Sequence, residues 1–168
     1  MKSIFNSLLV LGLSALSFTS FAQKTAYIDL DSLLSVMPEM ADAKKVSADV
    51  YKQLETQLTT MQKELNDKLA EYQANEKNYT DLIKQTKQAE LQDLNQRIQD
   101  FQVKAQTDFQ KKNEELTKPI NEKAKKAIEK VAKAKGYKMV IDASAGVLLY
   151  TDPADDIFNL VKAELGIK

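Results

Sequence analysis

Apolar residues fall along this chain in three different rhythms. In the first rhythm, Thr25-Ala26-Tyr27-Ile28-Asp29-Leu30 alternates, with Ala26, Ile28 and Leu30 on one face. That period of two predicts a short strand. In the second, Leu54, Leu58, Met61, Leu65, Leu69 and Tyr72 recur every three or four residues. The same spacing returns in Leu91, Leu94, Ile98, Phe101, Ala105, Phe109 and Leu116, with Lys112 as a polar interruption. Each set is a narrow stripe on a long polar helix, closer to a coiled-coil seam than to the face of a globular helix. In the third, Ile120, Ala124, Ala127, Ile128 and Val131 form a broader face, suited to a helix lying on a core.

Punctuation divides these runs. Asp31-Ser32-Leu33-Leu34 reads as a cap and one helical turn, and Pro38-Glu39 suits the first turn of a new helix. The polar stretch near 75–80, with Asn75, Asn78 and Thr80, predicts a tight turn between the two stripes. The stripes then fold back as an antiparallel hairpin that pairs Leu54 with the Phe101–Ala105 region, each limb roughly 50 Å long. Pro119 predicts a kink or restart, and so a hinge. Gly136 predicts a helix stop. Met139–Asp142 and Val147–Tyr150 predict a β-hairpin about a turn at 143–146, and Asp152-Pro153 predicts a last helix through about Leu165. The fold class that results is α+β: a long helical hairpin over 41–118, inserted in a small β-rich body made of 23–40 and 119–168. Such a body has about sixty residues and open sheet edges, so it calls for other copies of itself. Ile28, Leu30, Val140, Ile141, Val147, Leu148 and Leu149 are the candidate oligomerisation residues.

The N-terminus follows another logic. Lys2, the apolar run from Ile4 to Phe18, and Ser20-Phe21-Ala22 have the form of a secretory signal peptide over 1–22, cut after Ala22. Export to the periplasm is the expectation. Without Lys2 the chain holds 23 basic and 24 acidic residues, a balance that argues against nucleic acid as the main partner. Cysteine and histidine are both absent, which removes disulfides, thiol nucleophiles, the commonest general base and soft metal ligands. Carboxylates are spread around helix surfaces. Asp29 and Asp142 would approach each other if their strands adjoin, but strand-end carboxylates ordinarily cap turns. No catalytic residue, metal site or cofactor is expected, and the chain reads as a non-enzyme.

Taken in order, Ala26-Tyr27-Ile28-Asp29, the Leu34–Pro38 segment, the Lys/Glu/Gln-rich hairpin and Leu116-Thr117-Lys118-Pro119-Ile120 resemble the Skp/OmpH periplasmic chaperones. Ala127–Ala132, Gly136-Tyr137, Val140-Ile141-Asp142, Leu149-Tyr150 and Asp152-Pro153 extend the resemblance over nearly all of the chain after residue 22. It implies a jellyfish-like homotrimer in which helical tentacles enclose unfolded outer-membrane proteins without using a nucleotide. Family members are commonly strongly basic, whereas the arm here carries 13 basic and 14 acidic residues. The resemblance therefore does not extend to a positive cavity, and contact with lipid or lipopolysaccharide stays open. Lysines instead crowd the base, from Lys123 to Lys138, where a solvated helix face explains most of them.

A holdase shields apolar segments through many weak contacts. The candidate client-binding residues are therefore diffuse: Tyr51, Met61, Tyr72, Tyr79, Ile83, Phe101 and Phe109, chosen as large or adaptable side chains beside a thin stripe. Such a stripe also predicts that local stability falls toward the tip. The alternative is a structural coiled-coil envelope protein with the same arms and no clients.

Overall fold

A computed structural model describes residues 24–167. The expected signal peptide lies outside them. Strand β1 (Thr25–Ile28) buries Ala26 and Ile28. It ends where Asp29 turns the chain into helix α1 (Leu30–Ser35): the Asp29 carboxylate accepts from the Ser32 N–H at 2.8 Å and from the Ser32 hydroxyl at 2.7 Å. The cap is thus Asp29, two residues before the expected Asp31.

Helix α2 (Pro38–Asn75) opens on Pro38, whose missing N–H is one of the unbonded donors of a first turn. Its 38 residues span about 57 Å. A single 3₁₀ turn (Glu76–Asn78) follows, and the Thr80 hydroxyl then accepts from the Ile83 N–H to start helix α3 (Asp81–Lys135). Helix α3 is 55 residues long and stops at Gly136, whose φ of 75° is open to a residue without a Cβ. Strand β2 (Met139–Asp142), a 3₁₀ turn (Pro153–Asp155) and helix α4 (Phe158–Glu164) complete the chain.

The two strands pair in parallel, with Ala26 opposite Val140 and Ile28 opposite Asp142. Parallel neighbours need a long crossover, and here the crossover is the whole helical hairpin. The body is built where the roots of α2 and α3 meet the sheet. Leu33, Met37 and Ala43 close on Ile120, Ala124, Ala127 and Val131, with Ile157 and Val161 of the C-terminal segment sealing the other side. Leu33, Ala124, Ile157 and Val161 lose all contact with solvent.

Three expectations are corrected. The third strand does not form. Gly146, at φ 66°, closes the turn from Ala143 and leads Val147–Tyr150 away as irregular chain. On β1, Asp156 bridges Tyr27, and the Ile157 N–H reaches the Tyr27 carbonyl at 3.1 Å. With only two four-residue strands, the body is mainly helical rather than β-rich. Second, Pro119 does not restart the helix, since α3 runs through it without interruption. Its neighbours one turn apart, Leu116 and Ile120, are both packed into the body core, and this burial holds the helix together where one backbone bond is missing. Third, the last helix is shorter than expected. Asp152 caps only the 3₁₀ turn, through the Ala154 N–H, and Asp156 accepts from the Phe158 N–H where α4 begins.

Candidate functional site

Most of the hairpin lies beyond the body core, so its seam shows what the arm offers to a partner. The two helices are tied at matched distances from the turn. At the root, Glu39 pairs with Lys123. Further out, the Ser47 hydroxyl donates to Asn113 Oδ1 at 2.6 Å, and the Tyr51 and Phe109 rings meet edge to face with centroids 5.6 Å apart. Near the tip, Lys87 Nζ lies 3.0 Å from Glu71 Oε1, and Gln88 Nε2 donates to the Tyr72 hydroxyl at 2.8 Å.

Further out Leu94 and Ile98 are buried, but on the body side of the arm the seam is only half closed. A groove of about 490 Å³ lies beside the body, among Met40, Ala43, Ser47, Tyr51, Phe109 and Leu116. A second, of about 360 Å³, continues outward from the same Tyr51–Phe109 pair and is lined by Leu54, Leu58, Phe101 and Ala105. Ala105 is the small residue among larger ones, and the space it leaves lies within this groove. Leu54 and the Phe101–Ala105 stretch share its walls.

The candidate client-binding residues fall in four places along the arm. Tyr51, Phe101 and Phe109 come together around the outer groove, with Tyr51 56% exposed. Met61 sits further along the seam, half-buried. Tyr72 is buried, and Tyr79 packs against it with ring centroids 6.2 Å apart, so both serve the turn. Ile83 is 41% exposed at the start of α3, away from the grooves. Leu54, Leu58 and Ala105 were visible in the sequence as stripe positions, but nothing in their spacing marks them as groove lining.

The candidate oligomerisation residues also divide. Ile28 is buried in the chain's own core, and Leu30 and Val140 pack against that core. These three hold the body together internally, and Ile28 has no surface left for a second copy. Ile141 and Leu148 are half-buried. Val147, Leu149 and Tyr150 stand out into solvent, Leu149 completely.

Charge on the arm is arranged in neighbouring opposites. Lys63–Asp67, Arg97–Asp93 and Lys104–Asp108 are i,i+4 pairs on exposed faces. The basic run on the body is partly neutralised as well, with Lys123 on Glu39, Lys130 on Glu164 and Lys133 on Glu129. Asp29 and Asp142 do come near each other at the ends of paired strands. Their oxygens are spent on backbone: Asp142 Oδ1 accepts from the Ser144 N–H at 2.9 Å and the Leu30 N–H at 3.3 Å. Those bonds, first the one from Ser144, hold the Asp142 carboxyl below its ordinary range, and the Ser32 N–H and hydroxyl do the same for Asp29. Both therefore stay ionised as structural caps, unlike a pair that shares a proton. Among the described residues no group of three or more acidic, histidine or cysteine side chains is placed to hold a metal ion. No helix among them is long and apolar enough to cross a membrane.

Comparison with known proteins covers nearly the whole described chain. Residues 24–165 match the family of OmpH-like outer membrane proteins. The chaperone protein Skp of Yersinia enterocolitica is 28% identical over 152 residues, which are 88% of this chain and 89% of that protein. A crystal structure from Caulobacter crescentus, described as an OmpH-like outer membrane chaperone, superposes with a TM-score of 0.75 at 16% identity, over 89% of this chain and 90% of that one. That likeness is one of fold.

Proposed function

The chain belongs to the OmpH-like outer membrane protein family, and from that premise we propose that it is an ATP-independent holdase of the periplasm, which encloses unfolded outer-membrane proteins between helical arms. The observation that carries this reading is the half-closed seam. An arm that only braced two envelope components would gain by closing its grooves, because each buried methylene contributes about 0.8 kcal/mol. Here Tyr51, Leu54, Leu58, Phe101 and Phe109 are left partly uncovered along an arm whose charges nearly balance. A shallow aromatic and aliphatic trough suits brief contacts with many different apolar segments. The near-neutral arm makes apolar contact, rather than attraction of an acidic client, the main source of affinity.

Assembly belongs to the same proposal. Val147, Leu149 and Tyr150 are exposed apolar side chains in the segment that follows β2, which is an edge strand. Covering that edge with other copies, three in the arrangement we favour, would set several arms around one cavity. A chaperone-named relative at 28% identity supports the reading. No enzymatic role is assigned to any residue, and no cofactor is invoked.

The test is aggregation of a urea-denatured outer-membrane barrel protein on dilution, followed by light scattering with and without the purified chain. Suppression at near-stoichiometric amounts, with a complex of three copies and one client by mass, is the expected result. Aggregation that proceeds unchanged would leave the structural coiled-coil reading in its place.

A further inference from the structure

Burial along the arm is uneven: on α3 Leu94 and Ile98 are buried in the outer half, while the half nearer the body carries the two grooves. In α2 the buried residues are Ala43, beside the body, and Tyr72, one turn from the tip. A thin seam without other support would fray toward its free end. The free end of this one carries three cross-hairpin contacts made by two consecutive residues. Glu71 takes Lys87, Tyr72 takes the Gln88 amide, and the Tyr72 ring lies against Tyr79 at an interplanar angle of 38°. The turn is secured from within as well. Asn75 Nδ2 donates back along the last turn of α2 to the Glu71 carbonyl at 2.9 Å, and Thr80 caps α3. Tyr72 is 8% exposed, too covered to touch a client. Holding clients does not explain this cluster.

We propose that Glu71, Tyr72, Tyr79, Lys87 and Gln88 form a clamp that fixes the register of the hairpin and keeps its tip closed, so that the two arm helices part first beside the body and last at the far end. An exposed ion pair contributes little alone. The weight rests on Tyr72, whose ring is buried and whose hydroxyl is held by an amide across the seam. A residue with one apolar body and one polar end fixes both depth and register, which a leucine at the same position would not. The stretch with least cover is then the pair of grooves on either side of Tyr51 and Phe109, where α2 has no buried residue between Ala43 and Tyr72. The clamp is independent of whether the arm holds clients.

Amide hydrogen exchange on the purified full chain reads this directly. Amides of 70–75 and 84–90 are expected to exchange about tenfold more slowly than those of 50–56 and 103–109. Protection that falls steadily from body to tip overturns the proposal. In the double variant Glu71→Gln, Tyr72→Phe, the ring stays and the two polar ties change. The tip amides should then lose their excess protection while those of 120–131 keep theirs. A tip unaffected by the double variant also overturns it.

Discussion

Single side chains decide whether the body exists. Leu33 is fully buried where α1 meets the roots of the long helices. Leu33→Ala is expected to cost about 2–5 kcal/mol, a large part of what so small a core can hold. The loss should appear as a lowered urea midpoint with an unchanged slope. The strand-end aspartates tie the same region to pH. Asp29 and Asp142 both have folded pKa values below their ordinary range, so their contribution is complete above the unfolded value and is lost as pH falls through the folded one. Asp142→Ala should therefore lower the thermal midpoint at neutral pH. The gap to the parent should shrink on acidification below about pH 4, where the parent's carboxylate becomes protonated as well. Thermal scans by circular dichroism at the two pH values check this. The sequence identified these residues as capping types but misassigned one position. Alternation carried the strand on to Leu30, whereas the Ser32 hydroxyl and N–H both reach back to Asp29 and start the helix two residues sooner.

Elements were legible where local chemistry alone sets them. The turn between the long helices is marked by Asn75, Asn78 and Thr80, and Gly136 takes the left-handed conformation that costs a residue without a Cβ least. The continuity of α3 through Pro119 was not legible, because it depends on Leu116 and Ile120 being gripped by residues more than seventy positions earlier. This makes Pro119 a tolerated cost. Pro119→Ala should raise stability by about 1–3 kcal/mol in denaturant unfolding. If the chain really broke there, the substitution would be neutral. The tip has its own pH window. Lys87, with a smaller contribution from the Tyr79 hydroxyl, lowers the Glu71 pKa, and Glu71 raises that of Lys87, with Lys68 and Glu90 nearby acting in the same directions. The tie is complete between the ordinary glutamate and lysine ranges. It weakens in acid as Glu71 takes up its proton, and in strong base as Lys87 loses one. Exchange at residues 71–75 should accelerate below about pH 4, beyond the intrinsic acid trend set by unstructured peptide.

The molecule as a whole is a small body with a long insertion, and its two parts answer to different forces. Each member of the body core comes from residues 26–43, 120–131 or 157–161, and the partly buried residues packed on it include none between 44 and 115. That arrangement was partly visible in the sequence, where a broad apolar face follows two narrow ones. The missing third strand was not visible. Val147–Tyr150 has the composition of a strand, but a strand is made by its partner, and after the turn closed by Gly146 the segment runs on as irregular chain without pairing with β2. The uncovered segment bears on assembly. Leu149→Lys should leave the fold of each copy intact, since Leu149 touches no core residue, and should shift the mass in solution toward the single chain. The insertion can be tested by removal. The Ser47 hydroxyl and Asn113 amide are 2.6 Å apart, and helices in contact run about 8–10 Å between axes, so a few glycines in place of residues 48–112 close the gap. Closing a short loop in place of a long one costs little and even recovers some chain entropy. On the proposed reading the shortened chain folds, has the same number of copies by mass as the full chain, and loses all suppression of client aggregation. Retained suppression would move client binding from the arm to the body, and the half-closed seam would then be only an imperfect coiled coil.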